Sequence, residues 1–321
     1  MEPLSLVILA LAWLVAVFYL PKLFKSFRQP LNLPPGPKFA WPIIGHFNLL
    51  GPLPHQDLHK LSLKYGKTMQ LQFGSYPVVV TSSIDMAKQF LKTYDHMFAS
   101  RPKTAAGKYT TYDYSDLAWA PYGPYWRQGR KIYLTELFSA KRLESYEYIR
   151  KEELRAFVCR LHSLTGKPID LKEHLSRYTL SIISRIVLGK KYFSASDSDQ
   201  KSIVTLEEFQ EMLDELFLLN GVLNIGDWIP WIDFLDLQGY VKRMKNLKKR
   251  FDRFHDHVID EHNERRRSSK DFVPKDMVDL LLQLQDDPDL EVKLTTDNIK
   301  GLTQVTGQAT LLSSSPYTEI Y

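Results

Sequence analysis

The chain has 321 residues, of which 44% are hydrophobic and 25% charged, enough apolar material for one large core or two ordinary ones. The formal net charge is only +5 and no basic patch interleaved with aromatics stands out, so the composition excludes a nucleic-acid-binding reading. A single cysteine, Cys159, excludes a disulfide scaffold, and there is no Asn-x-Ser/Thr sequon, so nothing points to an oxidising compartment.

Residues 3–20 carry no charge. As a helix they would rise about 27 Å, close to the hydrocarbon thickness of a bilayer. Glu2 precedes the run, and Lys22, Lys25 and Arg28 follow it. This order predicts a retained transmembrane anchor over 1–21, with the body on the cytosolic side, rather than a cleaved signal peptide, whose basic residues come first. Residues 22–42 form a basic flank and a stiff hinge, Leu33-Pro34-Pro35-Gly36-Pro37 followed by Trp41-Pro42, through which neither helix nor sheet can pass.

The body begins with a predicted helix over 55–65, stopped by Gly66. A hairpin of Met69–Phe73 and Val78–Thr81 follows, with Gly74-Ser75-Tyr76-Pro77 between the strands. Ser83–Leu91 reads as a helix capped by Ser82 or Ser83. Residues 101–119 lack any period and read as a long loop. Apolar spacings of three and four then predict helices around 142–163, 171–188, 205–219, 237–267 and 274–285, with an interruption at 226–236 around Gly226, Pro230, Trp228 and Trp231. The predicted fold class is therefore mainly α with a small β-sheet, preceded by one transmembrane helix.

Several side chains carry chemistry. Trp126 and Arg130, four apart in Tyr122-Gly123-Pro124-Tyr125-Trp126-Arg127-Gln128-Gly129-Arg130-Lys131, share one helix face. Arg130 offers a guanidinium fork suited to a carboxylate and Trp126 one indole N–H. Cys159 lies beside an apolar stripe of Leu154, Phe157, Val158 and Leu161 and reads as a bland structural cysteine. His255, His257 and His262 are spaced wrongly for a shared metal and read as part of a solvated charged helix, so no metal site is expected. No nucleophile motif such as Gly-x-Ser-x-Gly occurs.

Taken in order, the anchor, basic flank, Pro-Pro-Gly-Pro hinge, small sheet, Phe98-Ala99-Ser100-Arg101-Pro102 and the Trp126/Arg130 helix resemble the plant microsomal cytochrome P-450 family of haem-thiolate monooxygenases, in its flavonoid- and terpenoid-hydroxylase branch. The resemblance runs to about residue 304. It implies an incomplete cytochrome P-450 fold over 43–304, with haem as cofactor and Trp126 and Arg130 meeting a haem propionate. It also implies NADPH- and dioxygen-dependent hydroxylation of a lipophilic plant metabolite at the endoplasmic reticulum membrane. A reductase partner would supply the electrons, with Lys131, Lys141 and Arg142 candidates for its docking face. The substrate-contacting segments it implies contain Tyr112, Tyr114, Leu117 and Ala118 in 105–120, and Leu216, Phe217 and Leu219 in a lid over 213–222.

The family's oxygen-activating threonine segment, Glu-x-x-Arg helix and cysteine-bearing Phe-x-x-Gly loop are absent from this sequence. Thr296–Gln304 reads as the start of a long central helix capped by Thr296 or Asp297. The pattern then breaks into a low-complexity stretch, 305–321, without lysine or arginine. The expectation is a truncated member without turnover of its own and with exposed apolar helix faces. The alternative is a membrane-anchored, haem-free interaction or decoy protein that binds the reductase or a full-length relative.

Overall fold

The computed structural model describes residues 13, 33–192, 203–268 and 272–312, giving for 137 and 305–312 the backbone course only. The expected transmembrane helix lies outside the described residues; among these, no helix is long and apolar enough to cross a membrane. The chain divides into two compact units, residues up to 98 with 228–235, and 99–227 with the remainder from 236.

In the first unit, helix α1 (Pro54–Tyr65) opens with proline at its first position, where the missing N–H has no intrahelical partner in any case. Strands β1 (Thr68–Phe73) and β2 (Tyr76–Thr81) form an antiparallel pair in register Leu71 with Val78. β1 alternates strictly, with Met69, Leu71 and Phe73 buried, as the period of two requires. The turn is two residues shorter than the sequence suggests, because Tyr76 and Pro77 already pair with Phe73 and Gln72. Gly74 has φ +53°, and a Cβ there would lie 2.3 Å from the carbonyl oxygen of Trp228, so only glycine fits. Phe47, Phe73 and Trp228 close this small core ring to ring. Ser83 caps α2 (Ile84–Lys88), its Oγ accepting the Met86 N–H at 3.4 Å, and a single π-turn, Gln89–Thr93, continues the helix.

The second unit is helical. The stretch expected to be structureless contains α3 (Ala105–Thr110), a six-residue helix too short to show a period. Its caps replace periodicity as the cause: Thr104 Oγ1 accepts from Gly107 N–H at 3.2 Å, and Asp227 Oδ1 accepts from Ala105 N–H at 2.7 Å. There follow α4 (Pro124–Ile132), α5 (Glu147–Ser163), α6 (Leu171–Leu188), α7 (Leu206–Gly221), α8 (Tyr240–Ser268), α9 (Met277–Gln285) and α10 (Thr296–Leu312). Asp170 caps α6 and Gly189, at φ +77°, ends it. Thr205 caps α7. The cap of α10 is Thr295 rather than Thr296 or Asp297. Its Oγ1 accepts from Asn298 N–H, and Asn298 Oδ1 accepts from Thr295 N–H in return, a reciprocal pair that satisfies two end groups at once. α10 continues as helix across residue 304, so the change in composition there is not a break in the backbone.

The core of this unit lies where α6, α7, α8, α9 and α10 meet, around Leu180, Met212, Leu216, Met244, Phe251, Leu281, Ile299 and Leu302. One sequence expectation is corrected here. His255 and His262 are buried, not solvated, because α8 turns that face onto the core; only His257 keeps partial exposure. The apolar stripe of α5 faces outward: Leu154 and Val158 are 48% and 54% exposed, while the buried residues of the helix are Ile149 and Glu153.

Candidate functional site

α4 begins at Pro124 and presents Trp126 and Arg130 on one face, as their spacing requires. The Arg130 guanidinium lies 5.5 Å from the centre of the Trp126 ring, a cation–π stack. The indole N–H of Trp126 donates to the Leu117 carbonyl at 3.1 Å. Leu117 rests on the same helix at Gly129, where a Cβ would come within 2.8 Å of Leu117 Cδ2. The structure therefore brings Leu117, Trp126 and Arg130 together. Arg130 is exposed and, among the described residues, pairs with no carboxylate.

Residues 111–120 are fixed by hydrogen bonds from several elements. Tyr112, Asp113 and Tyr114 are all left-handed, with φ +54°, +56° and +62°. Three consecutive non-glycine residues in this region carry strain of roughly 1–2 kcal/mol each. The turn holds because Ser115 Oγ donates to Tyr112 O at 2.6 Å, Tyr114 OH donates to Thr104 O at 3.0 Å, and Asn298 Nδ2 of α10 donates to Ser115 Oγ at 2.9 Å.

Tyr112 turns into the unit, its hydroxyl 3.0 Å from His255 Nδ1 and its ring beneath the Lys248 ammonium. Tyr114 is half-buried over Gly107, and Ala118 is exposed. Leu216 and Leu219 are wholly buried in the core and Phe217 packs against it. What joins the loop to α7 is a pair the sequence reading missed: Trp119 Nε1–H donates to Asn220 Oδ1 at 2.9 Å, across 101 residues.

Asp116 was also missed. Its Oδ1 accepts the Trp119 N–H at 2.7 Å while Oδ2 is buried without a hydrogen-bond partner. Burial pushes its carboxyl up to about 6, against the pull of the Trp119 N–H. The local signal was available, since an aspartate accepting from the backbone three residues on is a common turn device. His255 shows the converse effect. Burial, aided by the Lys300 charge, pushes its imidazole down to about 4, so it is neutral beside Tyr112. Lys300 itself is buried on α10 and reaches Asp252 at 3.2 Å and Asp256 at 2.6 Å on α8. Tyr112→Phe is expected to leave His255 Nδ1 without its partner and to cost about 1–3 kcal/mol in a urea titration of the full chain; an unchanged midpoint would show that this bond contributes nothing.

A second titratable cluster lies at the end of α8. His262 donates from Nδ1 to Val258 O at 2.6 Å, and its Nε2 is 3.2 Å from Asp276 Oδ2. Asp279 lies beside them, a set of three that could ligate a cation. Arg265 Nη2 stands 3.3 Å from both carboxylates, so the positive charge is already supplied by the chain. Between α6, α7, α8 and α10 there is a cavity of about 40 Å³ lined by Leu180, Leu213, Phe251, His255 and Thr303 among others, room for a few waters or a small apolar group. Lys131 and Lys141 are exposed and Arg142 half-exposed.

Comparison with known proteins gives the class to which this fold belongs. A model of the cytochrome P-450 family matches residues 34–308, and the chain belongs to that family. Among curated relatives it is 40% identical to a trimethyltridecatetraene synthase of Zea mays over 92% of this chain and 56% of that protein. It is 39% identical to a flavonoid 3'-monooxygenase of Petunia hybrida over 94% of this chain and 58% of that protein. The chain thus spans little more than half the length of the relatives it matches. Among solved structures, a zebra fish cytochrome P-450 with abiraterone superposes with a TM-score of 0.61 at 22% identity, covering 81% of this chain and 55% of that one, a likeness of fold.

The family binds haem. Of the residues present, Arg130 and Trp126 fit its carboxylate edge, since the guanidinium is unpaired and the indole holds it in place. The one cysteine does not fit the iron: Cys159 is exposed on the flank of α5.

Proposed function

We propose that residues 1–321 are the haem-edge portion of a membrane-anchored monooxygenase of the endoplasmic reticulum, its body facing the cytosol and its substrate a lipophilic plant metabolite. The observation that carries this reading is the unpaired Arg130 guanidinium stacked on Trp126 within a chain of the cytochrome P-450 family. In the complete arrangement, haem supplies the oxidising chemistry and a reductase the electrons. This chain's residues would do three things. Arg130 holds a propionate by charge-assisted hydrogen bonds. Trp126 fixes the guanidinium plane through its bond to Leu117. The loop of Tyr112, Tyr114, Leu117 and Ala118, tied to α7 near Leu216 and Phe217, bounds one side of the substrate space. The names of the relatives, a flavonoid 3'-monooxygenase among them, support oxidation of a plant secondary metabolite.

By itself this stretch is proposed to be inactive, because it offers no cysteine placed to act as the axial thiolate. The test is expression of the full chain in microsomes with added haem. The expected result is no carbon-monoxide difference absorbance of the thiolate type. A thiolate-type band that Cys159→Ser removes would overturn inactivity. Arg130→Ala, placed in a chimaera that completes the fold with the remainder of the Petunia hybrida relative, is expected to lower haem occupancy; unchanged occupancy would refute the propionate role.

A further inference from the structure

Four helices of the second unit enclose the cavity: α6 contributes Ser184, α7 Leu213, α8 Phe251 and Phe254, and α10 Thr303. Every lining residue is buried except Ile183, which is half-buried. Two features keep the space from closing. Its aromatic residues brace one another, with Phe209 packed on Phe254 at 5.0 Å and on Phe251 at 6.3 Å between ring centres, and Phe251 stacked on His255 at 5.8 Å. A ring that swung into the space would lose those contacts. On α6 the wall includes Ser184, the smallest of the lining residues, whose hydroxyl donates to Lys190 O at 2.9 Å.

The chemistry of the wall selects the guest. Leucine, isoleucine, valine and phenylalanine side chains supply most of it. Its polar groups are spent or withdrawn. The Ser184 hydroxyl is used by Lys190 O, and His255 Nδ1 faces the Tyr112 hydroxyl at 3.0 Å. Thr303 Oγ1 and Gln304 Oε1 have no hydrogen-bond partner, yet both oxygens are buried and present almost no surface to the space. A buried water makes about three hydrogen bonds, and this wall does not offer them, whereas an apolar cavity lined by Leu, Ile and Phe stays dry and takes apolar guests of its own size. The volume of about 40 Å³ is roughly a quarter of the ~150 Å³ that admits benzene, so the guest has one or two heavy atoms.

We propose that this cavity is a binding site for a small apolar gas, with dioxygen as the natural guest and xenon as its surrogate. The site is separate from the substrate space, because Tyr112, Leu117, Leu216 and Phe217 do not line it. Occupancy needs no haem. Only the choice of dioxygen among such gases rests on the monooxygenase reading, since an oxygenase consumes it.

The test is methyl NMR of the haem-free full chain in detergent micelles, labelled at Leu, Ile and Val, under pressurised nitrogen, xenon and dioxygen. Xenon should shift the methyls of Leu180, Ile183, Val187 and Leu213 saturably. Dioxygen, being paramagnetic, should relax them faster by on the order of fivefold than Leu247 and Leu281, which are as deeply buried but lie off the cavity. Leu213→Phe fills the space and should abolish both effects. Leu213→Ala enlarges it and should add saturable shifts with benzene; this variant decides the matter if circular dichroism shows Leu213→Phe to be unfolded. Equal relaxation at cavity and control methyls overturns the proposal. So does a long-lived water in nuclear Overhauser contact with the cavity methyls, a folded Leu213→Phe that keeps the gas effects, or a Leu213→Ala that takes no benzene. Xenon shifts without dioxygen relaxation would overturn dioxygen as the guest. Because no haem is present, none of these results bears on the Arg130 assignment.

Discussion

Asp276→Ala is expected to lower the unfolding free energy of the helical unit by about 3–5 kcal/mol, the cost of breaking a buried ion pair by removing one partner. The carboxylate makes three contacts on two helices at once. It accepts the Asp279 N–H at 2.9 Å and so caps α9, it faces His262 Nε2 at 3.2 Å, and it takes Arg265 Nη2 at 3.3 Å. Its Oδ2 also fills the space beside Gly189, where a Cβ would be 2.3 Å away. Removing it leaves His262 buried with one partner and the first turn of α9 with an open donor.

Burial pushes the Asp276 carboxyl up, but the His262 hydrogen bond and charge outweigh it, and the net direction is down from 3.8. A carboxyl depressed on folding contributes stability above its unfolded pKa and loses it as pH falls through the folded one. Wild type and Asp276→Ala should therefore differ fully at pH 7 and converge below the ordinary carboxylate range. Urea titrations by circular dichroism at neutral and acid pH read both effects. A difference under about 1 kcal/mol at pH 7 would mean that the cluster is a spectator.

Asp116→Asn should do the opposite and stabilise the chain at pH 7, by roughly 2–3 kcal/mol at about 1.36 kcal/mol per unit between 3.8 and about 6. The asparagine keeps the acceptor for Trp119 N–H and removes a charge whose second oxygen has no partner. For a carboxyl raised on folding, the native state binds more protons within that window, so the wild type loses stability as pH rises from about 4 to 6 and the variant does not. The gain should vanish below pH 4. His255 works in the other direction: its depressed imidazole makes stability rise with pH between about 4 and 6.5. The two slopes oppose each other in the wild type, which should show a flat profile there, and Asp116→Asn should unmask the histidine's slope. A gain independent of pH would attribute the effect to packing.

The legibility of the chain followed the range of the forces involved. α6 and α7, long and periodic, were predicted to within two residues, and the Trp126/Arg130 face follows from helical spacing alone. α3 escaped because six residues show no period and its second cap, Asp227, is 122 positions away. His255 and His262 were misassigned because the many lysines and arginines of α8 mask a core-facing stripe that includes Met244, Phe251 and Val258. Trp119–Asn220 and Lys300–Asp252, joined across 101 and 48 residues, had no local signature.

The left-handed turn at Tyr112–Tyr114 has a consequence for the order of assembly on the ribosome. Ser115 and Thr104 restrain it locally, but its other restraints come from far downstream: His255 is 143 residues beyond Tyr112, Asn298 is 183 beyond Ser115, and Gln304, which donates to Thr110 O at 2.9 Å, is 194 beyond it. A strained backbone cannot precede the contacts that hold it. At about 5–20 residues per second, synthesis runs for roughly 10–40 seconds between the emergence of this loop and that of α10. This loop therefore takes its final shape only once α10 has emerged, long after it is itself made.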